Sequence, residues 1–339
     1  MTVSRVLNGG KLVKPETAAH VRATIKRLGY EPNEAARMLK GQAARTIGLI
    51  VPDLADTFFS ICAHAVQQVA AKHGFMTVLL ASEKDSRSEV RELAMMKARN
   101  IAGVLIVPSS SACVRPLREF RSRGIAVVMF DRTFPGVDAG EVMVENRRGA
   151  EHAVSHLLDH GHRKVLCLGY DRRFNSISER VAGYESVIAQ AGLKPMSIVT
   201  DQVSEIAPKL LRRLRSQNSP SAIFSLNNVT TKQVLQIVQR EGIAIPDDLA
   251  IVGFDDFELA PLLSVPLTAV RQPAEELGRS ATRLLFEWIQ SGGHSYEGAA
   301  RVLQLPTELV IRRSCGCQPA LPFSRELNHL AERSATLAN

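Results

Sequence analysis

The sequence predicts two α/β lobes, each a doubly wound parallel sheet, behind a small all-α head. Short apolar runs rich in β-branched residues alternate with amphipathic stretches of helix length after residue 45. This alternation is typical of parallel strands covered on both faces. It occurs in two successive series, which indicates two lobes. The first 46 residues, in contrast, are basic and contain no comparable runs.

The first series predicts a lobe of four strands and three helices. It begins with the run T-I-G-L-I-V at residue 46, and the first three runs are each followed by an amphipathic stretch. The predicted strands are 46–51, 76–81, 103–107 and 126–130, and the predicted helices are 58–73, 86–99 and 114–123.

The second series predicts a similar lobe and a return of the chain between the lobes. Its predicted helices are 149–160, 178–191, 205–216 and 230–241, and its strands are 164–169, 197–200, 222–225 and 250–254. A last helix at 273–291 and a last strand near 307–311 would let the chain cross back. We therefore assign 46–147 with 272–300 to the first lobe, 148–271 with 301–317 to the second, and 318–339 to a flexible tail.

Polar side chains follow most of the predicted strands. Ligands of open α/β sheets bind outside the carboxyl ends of the strands, so two facing rows of such residues would form a hydrophilic cleft. Each residue taken alone could equally be a loop residue or a helix cap. The residues at these positions are Asp53, Ser82, Ser109, Asp131, Tyr170, Asn227 and Asp255.

Composition and motifs disfavour several classes of protein. No apolar run approaches the ~18 residues of a membrane span, and no secretory signal is recognised, so we expect a cytoplasmic protein that does not enter membranes. The G-x-S-x-G motif, the phosphate-binding loop and the dinucleotide-binding glycine pattern are absent from the sequence. We therefore expect no enzymatic activity, no catalytic residues and no cofactor.

Two short motifs suggest metal binding but are given simpler interpretations. Cys315-Gly316-Cys317 is the one close pair among five cysteines, and the sequence shows no nearby residues to complete a set of four ligands. His160-Gly161-His162 falls at a predicted helix end, where histidines suit the helix dipole. We expect reduced thiols and no metal site.

The basic head predicts contact with nucleic acid. Nine Lys and Arg against three Glu in residues 1–46 supply +6 of the chain's net charge of +8. Pro15 begins a predicted helix whose apolar residues recur at helical spacing, and Gly29 closes it. A further segment, 33–40, is too short to be a stable helix by itself in water. We assign 1–32 to the head and 33–45 to a hinge helix and linker.

These residues resemble the lactose-repressor family of bacterial transcription regulators. The resemblance begins with T-V-S-R-V-L-N, V-K-P-E-T and L-G-Y-E-P-N-E-A-A-R-M-L. It continues in the family's order through I-G-L-I-V-P-D, D-T-F-F, G-F-D-D, L-T-A-V-R-Q-P and L-P-T-E-L-V-I-R-R-S. It implies lobes of the type I periplasmic-binding-protein fold and an incomplete helix-turn-helix head.

The resemblance implies roles for residues of the head. Residues 2–7 would be the recognition helix, in which the Arg5 guanidinium would read guanine at ~1–3 kcal/mol of discrimination. Leu39, in the hinge helix, would wedge between bases in the minor groove, unless it is an ordinary apolar helix residue. Phosphate-contacting positions bind without specifying sequence. The complete set of expected DNA-binding residues is Thr2, Ser4, Arg5, Asn8, Tyr30, Asn33, Ala36 and Leu39.

The head departs from the family pattern because the family's first helix and turn do not precede Thr2. Two interpretations stay open here. The true start of the protein could lie upstream, or the protein could have lost specific DNA binding and act as a cytoplasmic sugar-binding protein.

The lobes also resemble periplasmic ribose-type sugar-binding proteins, and this resemblance implies an effector site. Aromatic residues would stack on the ring of a sugar, while carboxylates, guanidinium groups and amides would bind its hydroxyls. Two positions depart from the usual pattern: Asp56 stands where asparagine is usual, and Asn228 stands where aspartate is usual. The expected effector-binding residues are Phe58, Phe59, Asp131, Arg132, Asn146, Arg180, Asn227, Asp255 and Gln272.

Together these features predict a transcriptional regulator, a repressor by expectation, whose DNA binding is controlled by a sugar or sugar derivative. Two copies of the head would read the two halves of a palindromic double-stranded DNA operator, which predicts a homodimer and leaves a tetramer open. Inducer and corepressor action are both compatible with the sequence. A secreted transport receptor is a weaker alternative, because such a protein would have no use for a basic head.

Overall fold

The computed structural model describes residues 3, 6, 13–28, 45–291 and 302–317. The chain divides into two compact units, Met1–Arg45 and Thr46–Asn339. In the first unit, helix α1 spans Pro15–Leu28, with Glu16 in its first turn and Lys26 and Arg27 in its last, as the helix dipole favours. This confirms the predicted helix. No residue of α1 is buried, and Leu28 is 70% exposed. The expected hinge helix and the tail 318–339 lie outside the described residues.

The first lobe contains a six-stranded sheet in which every described pairing is parallel. Numbered along the chain, its strands are β1 Thr46–Val51, β2 Met76–Ala81, β3 Gly103–Ile106, β4 Ala126–Phe130, β5 Gly140–Val144 and β11 Val302–Leu305. Their order in the sheet is β11-β5-β4-β3-β1-β2. The helices that cover it are α2 Thr57–Lys72, α3 Ser86–Ala98, α4 Val114–Ser122 and α9 Ala274–Gln290.

The second lobe repeats this arrangement. Its strands are β6 Val165–Tyr170, β7 Met196–Thr200, β8 Ala222–Ser225, β9 Ala250–Phe254, β10 Thr268–Arg271 and β12 Glu308–Val310. Their order is β12-β10-β9-β8-β6-β7, and the edge strand β12 is antiparallel to β10. The helices are α5 Asn146–Asp159, α6 Asn175–Gln190, α7 Ile206–Leu214 and α8 Asn228–Glu241. Both lobes therefore have the doubly wound α/β architecture that the sequence predicts.

Each sheet is buried because helices cover both of its faces. Strands β3, β4, β8 and β9 are buried at every position, which is why they are continuous apolar runs in the sequence. Separate hydrophobic clusters lie on the two sides of each sheet. Helices α2 and α9 approach so closely that a Cβ at Gly278 would lie 2.5 Å from the Cys62 carbonyl oxygen. Among the described helices, none is long and apolar enough to cross a membrane.

Three strands, β5, β10 and β11, are not predicted from the sequence, and β11 changes the boundary between the lobes. Buried and half-buried residues alternate in β5, so it is not a continuous apolar run, while β10 is only four residues long and β11 is largely exposed. Strand β11 pairs with β5 in the first lobe. The assignment of 301–317 to the second lobe is therefore wrong for Val302–Leu305, and the chain changes lobe between β11 and β12.

The chain crosses between the lobes three times, and this determines where the lobes meet. The crossings join β5 to α5, β10 to α9, and β11 to β12. Parallel strands bring their carboxyl ends to one edge of a sheet, and a crossing that leaves from such an edge holds the two edges near each other. The residues that follow the strands in the two lobes consequently face a shared cleft.

We predict that Glu89 on α3 makes stability depend on pH. This carboxylate is fully buried and accepts a hydrogen bond from the Ser109 amide at 2.5 Å. Burial raises the pKa of Glu89 from 4.5 to about 7, although the Ser109 amide opposes the shift. In this pH range the folded protein keeps a proton that the unfolded chain has lost, so the free energy of unfolding falls as pH rises from 4.5 to about 7.

The test compares Glu89→Gln with the parent protein by urea unfolding at about pH 5 and about pH 8. Glutamine cannot ionise, so the variant does not lose stability as Glu89 does when pH rises. The free energy of unfolding of the variant, relative to that of the parent, should therefore be on the order of 2–3 kcal/mol higher at the upper pH than at the lower one. The solvent-exposed Glu185→Gln serves as the control and should follow the parent. If the difference in free energy of unfolding between Glu89→Gln and the parent is the same at both pH values, Glu89 is not the source of the pH dependence.

Candidate functional site

The cleft between the lobes encloses a cavity of about 50 Å³ at the carboxyl ends of the strands. Both lobes contribute to its wall, which combines three carboxylates, three cationic side chains and several aromatic rings. The lining residues are Asp56, Phe58, Phe59, Lys84, Asp131, Arg132, Tyr170, Phe174, Ser176, Ile177, Arg180, Asn227, Asn228, Val229, Asp255 and Gln272.

The structure brings the expected effector-binding residues together. All of them line the cavity except Asn146, which contacts it indirectly: its side-chain oxygen accepts a hydrogen bond from Arg180 Nε at 2.8 Å. Asn146 is the first residue of α5, directly after the crossing from β5. It is therefore placed to orient the arginine.

Two aspartates mark equivalent positions in the two lobes. Asp131 follows β4 and Asp255 follows β9, and both have left-handed backbones, with φ of 62° and 76°. Their amides donate to the carbonyls of Val142 and Val270 on the next strands. Such φ values are uncommon outside glycine, although aspartate tolerates them better than most residues. Backbone strain of this kind accumulates at functional sites.

Arg180 is the most deeply buried cation of the cleft, at 3% exposure. Its Nη1 donates to the Leu226 carbonyl at 2.7 Å and lies 3.6 Å from Asp255 Oδ1. Its guanidinium carbon lies 3.6 Å from the ring centroid of Phe254. Burial lowers the pKa of Arg180, whereas the charges of Asp255 and Asp131 oppose that shift. Arg180 is thus compensated by one carboxylate, one carbonyl, one amide and one aromatic face.

Asp131 and Arg132 form the acid–base pair of the first lobe. Arg132 Nε lies 3.3 Å from Asp131 Oδ2. Burial raises the pKa of Asp131, and the charges of Arg132 and Arg180 only partly offset this effect. The Arg132 guanidinium carbon also lies 4.1 Å from the ring centroid of Phe174 in the second lobe. Arg132 therefore links a carboxylate of its own lobe to an aromatic face of the other.

The Asp255 carboxylate accepts hydrogen bonds from residues of the cavity wall, whereas two neighbouring side-chain oxygens have no hydrogen-bond partner among the described residues. Its Oδ1 accepts from Gln272 Nε2 at 2.5 Å and its Oδ2 from the Asn228 amide at 3.2 Å. The remaining side-chain oxygens of Gln272 and Asn228 are buried and have no hydrogen-bond partner among the described residues. Buried polar atoms are normally hydrogen-bonded, so these two oxygens are available to a ligand that donates hydrogen bonds.

A pair of residues connects the lobes beside the cavity. The Thr133 amide, beyond β4, donates to Asn175 Oδ1 at 3.2 Å, and Asn175 Nδ2 donates to Thr133 Oγ1 at 3.1 Å. Asn175 begins α6 of the second lobe. We call these reciprocal bonds the Thr133–Asn175 clasp.

The rule that ligands lie at strand ends is only partly correct here. It identifies Asp131, Tyr170, Asn227 and Asp255, which line the cavity, but Asp53, Ser82 and Ser109 do not. Ser82 and Ser109 are buried and instead hydrogen-bond each other through their hydroxyls at 2.9 Å. Asp53 pairs with Lys84 Nζ at 3.1 Å.

Several lining residues are not predicted from the sequence, chiefly Lys84, Phe174 and Ser176. Lys84 follows β2 by three residues and Phe174 directly precedes α6, so a search extended a few positions beyond each strand would have found them. Asp56, noted as a departure, also lines the cavity. Its carboxylate caps α2 through the Phe58 amide at 3.1 Å, and burial, followed by the charge of Asp255, raises its pKa.

The expected DNA-binding residues cannot be placed in the same way. All of them lie outside the described residues, and their role stays a prediction. They are Thr2, Ser4, Arg5, Asn8, Tyr30, Asn33, Ala36 and Leu39.

Comparison with known proteins finds family matches for both the head and the lobes. Residues 1–33 match bacterial regulatory proteins of the lacI family, and residues 154–315 match the periplasmic binding protein-like domain. The ribose operon repressor of Halalkalibacterium halodurans is 31% identical over 317 residues, which cover 92% of this chain and 92% of the relative. The regulator DegA of Bacillus subtilis is 29% identical over 321 residues, with 92% and 93% coverage.

Solved structures agree with this relationship. The lac repressor dimer bound to operator and the anti-inducer ONPF has a TM-score of 0.78 at 21% identity, covers 93% of this chain and 94% of its own, and supports the fold alone. The complex of the regulator CelR with cellobiose has a TM-score of 0.70 at 26% identity and covers 92% and 94%. A ribose-bound regulator from Enterococcus faecalis has a TM-score of 0.70 at 25% identity and covers 79% and 98%.

The two lobes and their polar cleft define a ligand-binding domain of the type I periplasmic-binding-protein fold. The chain that carries this domain belongs to the lacI family of bacterial regulatory proteins. Its relatives are transcriptional regulators rather than enzymes.

We predict that Arg180→Met destabilises the protein by about 3–5 kcal/mol, because it removes one partner of a buried ion pair and leaves the other uncompensated. The control is Arg172→Met, since Arg172 is half exposed and only 3.6 Å from the equally exposed Glu185. An exposed pair of this kind contributes at most about 1 kcal/mol. Urea unfolding of both variants measures the difference, and equal losses of stability would contradict the assigned role of Arg180.

Proposed function

We propose that the protein is a DNA-binding transcriptional repressor whose operator binding is controlled by a sugar bound between the lobes. The observation that carries this proposal is the combination, in one cavity, of charged hydrogen-bonding groups, aromatic faces and two buried acceptors without partners among the described residues. The lacI-family match of residues 1–33 and the net charge of +6 in residues 1–46 support the DNA-binding part.

The chemistry of the cavity suits a ligand with several hydroxyl groups. Each hydroxyl donates one hydrogen bond and accepts others, so adjacent hydroxyls can be bound by a carboxylate and a guanidinium together. Asp131 with Arg132, and Asp255 with Arg180, supply such sets. The acceptors of Gln272 and Asn228 would each receive a hydroxyl proton. Phe58 and Phe59 would cover the C–H face of the ring.

The names of the relatives narrow the ligand class. A ribose operon repressor is among them, and regulators bound to ribose and to cellobiose are among the similar structures. We therefore propose a sugar or sugar derivative and take ribose as the first compound to test.

Ligand entry must change the arrangement of the lobes. A volume of about 50 Å³ holds only a few water molecules, which is less space than a sugar ring requires. We infer that the lobes separate to admit the ligand and that the clasp between Thr133 and Asn175 must then break or shift. A ligand controls DNA binding only if it binds the two arrangements with different affinity.

Control of DNA binding further requires two copies of the head. One set of half-site contacts is weak, and a two-fold symmetric dimer reads both halves of a palindrome. We propose a homodimer, with tetramers as a further assembly to be tested, acting on double-stranded DNA in the cytoplasm. Residues 33–45 connect the head to β1, so a shift of the first lobes within a dimer would change the separation of the two heads.

The test is DNA binding by this chain at fixed salt, measured by fluorescence anisotropy with the DNA upstream of its own gene. We expect sequence-specific binding that changes at least tenfold at saturating ribose or another sugar. Binding that no ligand alters would contradict effector control. Sugar binding without specific DNA binding would instead identify a cytoplasmic sugar-binding protein. Analytical ultracentrifugation would determine the oligomeric state of the same sample.

We predict that Asp131→Asn weakens sugar binding by about 10- to 100-fold, the loss expected for one charge-assisted hydrogen bond. The same variant should stabilise the ligand-free protein near neutral pH. The pKa of Asp131 is raised in the folded state, so above that pKa its ionised form costs stability, and asparagine removes this cost.

Isothermal titration calorimetry and urea unfolding measure the two effects. Asp138→Asn is the matched control, because Asp138 is half exposed and pairs with Arg121 outside the cavity. Wild-type affinity in Asp131→Asn would exclude Asp131 from the sugar site.

A further inference from the structure

We propose that the second lobe contains a structural zinc site formed by His156, His160, Cys315 and Cys317. One potential ligand atom from each of these side chains lies within 4.8 Å of all the others. None of the four lines the cleft, and the proposed sugar response does not use them. The sequence alone predicts no metal site, because no partner ligands stand near the two cysteines, but folding supplies two histidines from far along the chain.

The two histidines come from the end of α5. They are four residues apart and therefore lie on one face of the helix, because side chains at that spacing are neighbours on its surface. Their ring centroids are 4.7 Å apart with an interplanar angle of 67°. His160 is exposed and His156 is half-buried, so a cation can reach both rings. His162, considered earlier with His160, instead lies 3.0 Å from the Ser221 hydroxyl through Nδ1.

The two cysteines come from the segment that follows β12, which is firmly anchored. Ser314 accepts a hydrogen bond from the Thr268 amide at 2.8 Å and donates one to the Ile251 carbonyl at 2.6 Å. Gly316 then adopts φ of +94°, a conformation that a side chain would strain. This turn lets the thiols on either side of Gly316 approach the same pair of imidazoles.

The distances fit zinc without large rearrangement. Cys317 Sγ lies 3.0 Å from His160 Nε2 and 3.6 Å from His156 Nε2. Zn–S bonds of about 2.3 Å and Zn–N bonds of about 2.0 Å place tetrahedral ligands about 3.3–3.8 Å apart. The widest separation, within 4.8 Å, therefore needs to contract by only about 1 Å. Two thiolates and two imidazoles are a donor set that favours zinc over harder cations, which prefer oxygen.

A closed set of four protein ligands implies a structural role. The site would join the end of α5 to a segment more than 150 residues later, since Cys317 and His160 are 157 positions apart. It lies beside the amino ends of β9 and β10, at Ile251 and Thr268, whereas the sugar cleft lies at their carboxyl ends. The bound cation would therefore hold the far end of the helix whose first residue, Asn146, contacts Arg180.

The experiment uses the full chain without a histidine tag, stripped of metal and kept reduced. Co²⁺ replaces zinc as a spectroscopic probe, because tetrahedral thiolate coordination gives intense visible bands and a sulfur-to-metal charge-transfer band. We expect one Co²⁺ per chain with both features, and their loss when Zn²⁺ is added. Saturating Zn²⁺ should raise the Tm by about 5 °C, the shift expected at a hundredfold excess over Kd.

Variants separate this site from unspecific binding. Cys317→Ser and His160→Gln should lose the charge-transfer band and the Zn²⁺-dependent shift in Tm. His160 is exposed, so its replacement leaves the core intact and keeps the test valid if Cys317→Ser folds poorly. The matched control is His152→Gln, because His152 is an exposed histidine one turn before His156 on α5, and this variant should behave as the parent.

The proposal is overturned if the reduced parent shows no tetrahedral thiolate spectrum, or if Cys317→Ser and His160→Gln retain it. A disulfide between Cys315 and Cys317 that persists in the reduced sample, detected by mass spectrometry, would also overturn it. Such a bond would assign the pair to redox chemistry instead.

Discussion

The wall that the second lobe contributes to the cleft depends on compensating the charge of a buried guanidinium. Arg180 is almost fully excluded from solvent, and an unpaired charge at such a position would be costly. Its compensation comes from three parts of the chain: the start of α5, the loop after β8, and the end of β9, where Phe254 supplies its ring and Asp255 its carboxylate. The identity of the second lobe as a ligand-binding surface therefore follows from electrostatics as much as from hydrophobic packing.

Apolar packing stabilises each lobe internally, whereas polar and cation–π contacts connect one lobe to the other. The sheets and their helices form close-packed apolar clusters within each lobe, and close packing of this kind resists deformation. Contacts across the cleft, such as Thr133 with Asn175 and Arg132 with Phe174, are polar or cation–π in character. Polar contacts can be exchanged for contacts with water or a ligand at little net cost. Movement is thus expected between the lobes and not within them.

The sequence predicts most of the fold because burial on both faces leaves a clear pattern, as in Ala126–Phe130. It fails where the pattern changes: Gly140–Val144 alternates in burial, and Val302–Leu305 is an exposed edge strand whose partner is 161 residues earlier. For the cleft, a family resemblance identified Arg180, but neither Lys84 nor Phe174 belongs to a motif that could be recognised. The pairing of Cys317 with His160 depends on long-range packing, which spacing along the chain does not encode.

The three crossings between the lobes also affect how the protein is made. The first lobe lacks α9 until residue 290 has been synthesised, and its sheet lacks β11 until residue 305. Chains are synthesised from the amino terminus at about 5–20 residues per second, and domains generally fold as units. During most of synthesis the first lobe therefore exposes the apolar surface that α9 later covers, including Cys62 and Ala65. The first lobe can therefore complete its sheet only after all of the second lobe except β12 has been translated, and its uncovered apolar surface is open to aggregation during that interval.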